Sequence, residues 1–99
     1  MEKRQKVFSA TFIASGNVQG VGFRDFACRI GASAGLVGYA KNLQDGTVEI
    51  AAEGSEAQLQ ELARRVSVRM PLGIHVKELR EISRKEVPRR TFSSFSVRF

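Results

Sequence analysis

The sequence predicts an α+β fold, a ferredoxin-like split βαβ unit (βαββαβ) whose antiparallel sheet carries two helices on one face. Three observations lead there. Period-two runs alternate with two stretches of period 3.6; their order is strand, helix, strand, strand, helix, strand; and 99 residues fill one domain, since single domains commonly run to ~100–150 residues. Phe8, Ala10, Phe12 and Ala14 alternate with Ser9, Thr11 and Ile13 along the first strand. Gly16-Asn17-Val18-Gln19-Gly20-Val21-Gly22 follows, and its three glycines favour a tight backbone cup over regular structure. Phe23, Phe26, Ala27, Ile30 and Ala34 recur at spacings of three and four, an amphipathic helix that should stop at Gly35.

Leu36 to Lys41 reads as the second strand, and Leu43-Gln44-Asp45-Gly46 as a hairpin in which Asp-Gly supplies the positive-φ position. Val48, Ile50 and Ala52 alternate along the third strand. Ser55-Glu56-Ala57-Gln58 is a capping box opening a helix with Leu59, Leu62, Ala63 and Val66 on one face. A fourth strand begins at Ile74 and Val76, and its alternation slips between Val76 and Leu79, the mark of a bulge. Phe95, Val97 and Phe99 alternate with Ser96 and Arg98 in a terminal strand.

Composition narrows the function. Cys28 is the one cysteine, so neither an internal disulfide nor a CxxC or zinc cluster can be drawn. The charged start, Met1 to Lys6, leads into no signal-peptide core, and no apolar run approaches the ~18 residues of a membrane span. A reducing cytoplasm and one monomeric domain over residues 1–99 are the expectation. The formal net charge is +6, and ten of the sixteen Lys and Arg residues fall between Arg64 and Arg98 against three acids. That suits a small anionic substrate or a nucleic acid equally.

The glycine loop is the most informative segment. A glycine-rich turn feeding a helix N-terminus exposes unpaired backbone N–H groups in one direction, and the helix dipole adds about half a positive charge there. Arg24, on the first turn, offers a bidentate fork matched to phosphate oxygens. No Gly-Lys pair permits a Walker A loop, and Asp25 stands where a dinucleotide fingerprint needs glycine. A turn whose glycines merely allow close packing, with Arg24 solvated, fits the spacing too.

Residue by residue, Gly16-Asn17-Val18-Gln19-Gly20-Val21-Gly22-Phe23-Arg24 resembles the first signature of the acylphosphatase family, Gly-x-Val-Gln-Gly-Val-x-Phe-Arg. The second signature, Gly-Leu-x-Gly-x-x-x-Asn-x-x-Asp-Gly-x-Val, is similar to Gly35 through Val48, and ten residues separate Arg24 from Gly35 as the family pattern requires. The ending Phe92–Phe99 is similar to the family's aromatic terminal strand. Tyr39 replaces a frequent Trp, Met70-Pro71 a usual Gly-Pro, and Phe99 the commoner final Tyr.

The resemblance implies hydrolysis of acyl phosphates to carboxylate and inorganic phosphate, with no cofactor and no metal. It assigns the phosphate to backbone N–H groups of Gln19, Gly20, Val21, Gly22 and Phe23, its charge to Arg24, and the attacking water to Asn42. A carboxylate leaves without needing a strong general base, and the substrate's own phosphate is thought to help take the water's proton. Read without the family, Asn42 is sooner a strand-end residue bonded to its own hairpin.

Other residues carry less. His75 stands alone and reads as structural, Cys28 as a small core residue, Asp45 as turn chemistry, and Arg64-Arg65-Arg69 and Arg89-Arg90 as solvated faces. The rival reading is a nucleic-acid-binding or non-catalytic anion-binding module of the same fold. RNA-recognition modules carry stacking aromatics on their central strands, whereas Thr47 to Glu53 has none and holds Glu49 and Glu53. Acylphosphatase-like domains also open large hydrogenase-maturation carbamoyltransferases, where Phe-Arg-Pro-Phe is frequent in place of Phe23-Arg24-Asp25-Phe26.

Overall fold

The computed structural model describes residues 5–99; the charged Met1–Arg4 start lies outside the described residues. The chain runs β1 (Val7–Asn17), α1 (Phe23–Ser33), β2 (Val37–Asn42), β3 (Val48–Gly54), α2 (Glu56–Val66), β4 (His75–Val87) and β5 (Phe95–Arg98). The sheet order is β4-β1-β3-β2-β5. β1 through β4 form the expected antiparallel unit, while β5 adds to β2 in parallel, so the complete sheet is mixed. Ala10, Phe12 and Ala14 pair with Ala52, Ile50 and Val48, which turns the apolar sets of both strands to the same face. Phe23, Ala27 and Ile30 of α1 and Leu59, Leu62 and Val66 of α2 close over that face.

Each helix end follows from its local sequence. Gly35 takes φ +83°, and Gly35 N–H and Leu36 N–H bond Ala32 and Gly31 carbonyls, a Schellman stop for α1. α2 opens on Ser55, whose hydroxyl accepts from Gln58 N–H while the Gln58 side chain accepts from Ser55 N–H. The hairpin turns at Gly46, φ +92°, and Asp45 Oδ1 accepts from both the N–H and the hydroxyl of Thr47. Those two bonds hold the Asp45 carboxyl below its ordinary range.

The slip read between Val76 and Leu79 is a bulge. Ser15 pairs with Glu78 but Gly16 with Val76, leaving Lys77 unpaired. β1 itself runs on through Gly16 and Asn17 instead of ending before the glycines. Gly16 keeps φ +124° there, and a Cβ would meet the His75 carbonyl. A second bulge at Ile82, between Thr11↔Ser83 and Phe12↔Glu81, carries no sequence mark of its own.

Glu53 is the largest departure from expectation. It lies on the sheet face opposite the helices, yet is 3% exposed. Its carboxylate accepts from Thr91 N–H at 2.7 Å, Thr91 hydroxyl at 2.7 Å and Phe92 N–H at 3.0 Å, so the segment leading into β5 is tied across that face. Burial opposes the charge. The Phe92 N–H, the Thr91 hydroxyl and N–H, and the nearby Arg90 guanidinium outweigh it and hold the carboxyl below its ordinary 4.5. Glu49 is likewise engaged, accepting from Tyr39 hydroxyl at 2.7 Å. Burial and then the bond to Glu49 push the Tyr39 phenol up.

Two outcomes follow. Glu53→Gln should lower unfolding free energy by about 1–3 kcal/mol near neutral pH, because a buried carboxylate accepting three bonds becomes an amide that cannot accept them all. The folded carboxyl titrates below its ordinary value, so its contribution is complete above roughly pH 4.5 and drains away as pH falls through the folded value. Urea melts of wild type and variant, taken from neutrality down through successively lower pH below 4.5, should therefore converge in acid. Cys28, 7% exposed, has its thiol pushed up to about 11 by burial, partly offset by a backbone hydrogen bond at Ala40. About one molecule in a thousand is then thiolate at pH 8, and iodoacetamide should label Cys28 only after unfolding.

Candidate active site

The two helices are equally long, 11 residues each, and differ in how they begin. α2 has its capping box. α1 begins at Gly22 in the left-handed region, φ +81°, with no side-chain cap. The first helical bond of its N-terminus runs from Phe26 N–H to Gly22 O at 3.1 Å. The amides before Phe26 therefore lack helical acceptors, and the positive end of the dipole stands open. Gly20, at φ +74°, bends the preceding loop to make the cup, a turn disfavoured for residues with a Cβ.

A cavity of about 160 Å³ lies against this helix end. At ~30 Å³ per water, it has room for a phosphoryl group and a water. Gly20, Gly22, Phe23, Arg24 and Asn42 line it, so loop, guanidinium and strand-end amide share one space. Gln19 and Val21 do not line it. Val21 packs against the core, and Gln19 turns its side chain to the hairpin, Nε2 donating to Leu43 O and Thr47 O at 2.8 Å each. Their backbones remain part of the cup loop.

Arg24 is fixed from a direction the local sequence does not announce. Its Nη1 donates to Arg98 O at 2.9 Å, and the guanidinium lies 4.9 Å from the centre of the Phe99 ring. β5 reaches this point because Lys41 pairs with Arg98 in parallel, one residue before Asn42. Arg98 in turn stacks over Tyr39, 4.1 Å from the ring centre, and Phe92 meets Tyr39 edge to face. The Tyr39 and Phe99 departures thus sit on the path that holds Arg24, whereas Met70 N–H bonds Ile74 O in the loop before β4.

Asn42 closes β2 opposite Val48. Its Oδ1 is buried and accepts no hydrogen bond from the described residues, so the hairpin-bonding alternative for this side chain is not what the structure contains. A buried acceptor left alone costs about 1–3 kcal/mol. Asn42 itself lines the cavity beside the open helix N-terminus.

Three lining residues, Val18, Asp25 and Val97, escaped the sequence reading. Asp25 faces the cavity and pairs with Arg29 one turn on, at 2.9 Å. Val97 of β5 lines the cavity as well. Spacing could have flagged Asp25, but nothing local announces Val97, which depends on the β2–β5 pairing. His75 is exposed at the start of β4. Arg64 is paired with Glu61, and Arg90 donates to Gly35 O and to Gln58, so part of the basic half secures helix ends. Among the described residues no group of three or more His, Cys, Asp or Glu could hold a metal ion, and no helix is long and apolar enough to cross a membrane.

Comparison with known proteins agrees along nearly the full chain. The acylphosphatase family model matches residues 10–97. An acylphosphatase of Solibacter usitatus is 42% identical over 83 residues, 84% of this chain and 82% of that protein. The crystal structure of acylphosphatase from Bacillus subtilis superposes with a TM-score of 0.78 at 34% identity, covering 93% of this chain and 99% of that one. T. kodakarensis HypF contains the same fold within a much longer protein: TM-score 0.70, 33% identity, 91% of this chain and 12% of that one. A matching family model, a relative of similar length and a superposable structure leave one assignment: the chain belongs to the acylphosphatase family.

Proposed function

We propose that in this chain, a hydrolase of acyl phosphates, Arg24 and Asn42 are the catalytic side chains and the backbone from Gln19 to Phe23 is the phosphate cradle. One observation carries the reading: Arg24 and Asn42 line the same cavity at an uncapped helix N-terminus. The phosphoryl group enters the cup, where amides and helix dipole meet its charge. Arg24, with one donor committed to Arg98 O, presents its remaining donors to the equatorial oxygens, where charge is spread in the transition state.

The Asn42 side-chain amide holds the water for attack on phosphorus from the side opposite the acyl oxygen. The water oxygen–phosphorus bond forms as the bond from phosphorus to the acyl oxygen breaks, and that electron pair leaves on the carboxylate. The water's proton passes to a phosphate oxygen. The products are carboxylate and inorganic phosphate. The phosphate's own acceptor and the weakly basic leaving group make a protein general base unnecessary.

Residues 1–99 are read as one monomeric domain, supported by one hydrophobic cluster among the described residues. A reducing cytoplasm suits its lone buried cysteine. Nucleic acid is disfavoured as a partner, because Tyr39 and Phe92, the aromatics on the open sheet face, are already occupied by Arg98.

Benzoyl phosphate hydrolysis, followed by loss of ultraviolet absorbance, is the test. Arg24→Ala and Asn42→Ala should each slow turnover on the order of 10²–10³-fold, as removal of an oxyanion-hole donor does. Arg24→Lys should recover only a small part of that loss, since an ammonium lacks the planar fork. An Asn42→Ala enzyme that keeps the wild-type rate would remove the water-positioning role.

A further inference from the structure

We infer that the Gln19 side chain is a positioning residue that sets the distance between the phosphate cup and Asn42, an inference that rests on the water-holding role of Asn42. No side-chain hydrogen bond ties Asn42 to the described residues, so its place is set by its backbone at the neck of the hairpin. The hairpin closes on its own: Leu43 N–H bonds Thr47 O at 2.9 Å, and Asp45 binds Thr47. What these bonds leave open is where the neck stands relative to the cup. Gln19 fixes that. From within the cup loop its Nε2 donates to Leu43 O and Thr47 O, both at 2.8 Å, the two residues that close the hairpin, and Leu43 directly follows Asn42.

The chemistry selects glutamine. One amide nitrogen carries two N–H groups, and two converging carbonyls use both. Asparagine is a methylene shorter. Glutamate at neutral pH would turn a carboxylate toward two carbonyl oxygens, and can donate only when protonated. The cup's own anion-binding groups, backbone amides and Arg24, do not use this side chain. Loss of Gln19 is therefore a loss of alignment for the water more than of affinity for phosphate.

The experiment measures kcat for benzoyl phosphate and the inhibition constant of inorganic phosphate for wild type, Gln19→Ala, Asn42→Ala, the double variant and Gln19→Glu. Misplacement of a reacting group by about 1 Å can cost 10²-fold, so Gln19→Ala should lose roughly 10–100-fold in kcat while the phosphate constant moves less than about threefold. The double variant should be no slower than Asn42→Ala by more than about twofold, because residues acting through one another are not additive. Gln19→Glu should be slow at neutral pH and regain rate relative to wild type as pH falls toward its carboxyl pKa of about 4.3. Gln19→Asn replaces the alanine variant if that one fails to fold by circular dichroism.

Unchanged kcat, parallel loss of kcat and phosphate affinity, additivity in the double variant, or no acid recovery would each overturn the inference. Full activity in Asn42→Ala is a separate result: it removes the water-holding reading, and this inference falls with it.

Discussion

The molecule depends on one topological constraint: β1, β2 and β5 run in the same direction, with β3 antiparallel between the first two. Their C-terminal ends therefore emerge at one end of the sheet. The loop after β1 supplies the glycine cup, the end of β2 supplies Asn42, and the end of β5 supplies the carbonyl that holds Arg24. A chain this short has little core with which to impose geometry. Convergence of strand ends lets a small two-layer fold assemble a cavity without a second domain.

Polar satisfaction explains how that end is kept in order. β5 has four residues, too few to be secured by ladder bonds alone. Glu53 gathers Thr91 and Phe92, Arg90 bonds Gly35 O, and Gly38 N–H bonds Ser94 O, so the segment leading into the strand is anchored as well as the strand itself. Most of these bonds satisfy groups that would otherwise be costly to bury. At the cavity the balance reverses. Among the described residues the first α1 amides have no side-chain cap and Asn42 Oδ1 has no partner, and open amides at a helix N-terminus are suited to an anion.

The site was largely legible because its parts obey local rules. Gly20 and Gly22 need positive φ, Arg24 follows them on the helix, and Asp45-Gly46 fixes the hairpin that ends β2. Two signatures at the right separation carried the family. Illegible were the groups that act across long sequence separations. Glu53 read only as an acid on an alternating strand, since nothing within ten residues shows that Thr91 and Phe92 will cover it. Gln19 read as a backbone donor, although its side chain spans to the hairpin.

By itself the sequence determined the element order, the helix caps, the turn types, the bulge after Val76 and the pairing of a glycine loop with Arg24. These are short-range matters, in which backbone conformation and side-chain period leave few alternatives. Tertiary structure alone decided that β5 joins β2 in parallel, that Arg24 is held by Arg98 O, that Asp25 and Val97 wall the cavity, and that Asn42 Oδ1 is left unpartnered. The reason is physical. A strand's period says which residues face the core but not which edge it will join, and hydrogen-bond partners seventy residues apart meet only after the sheet has formed.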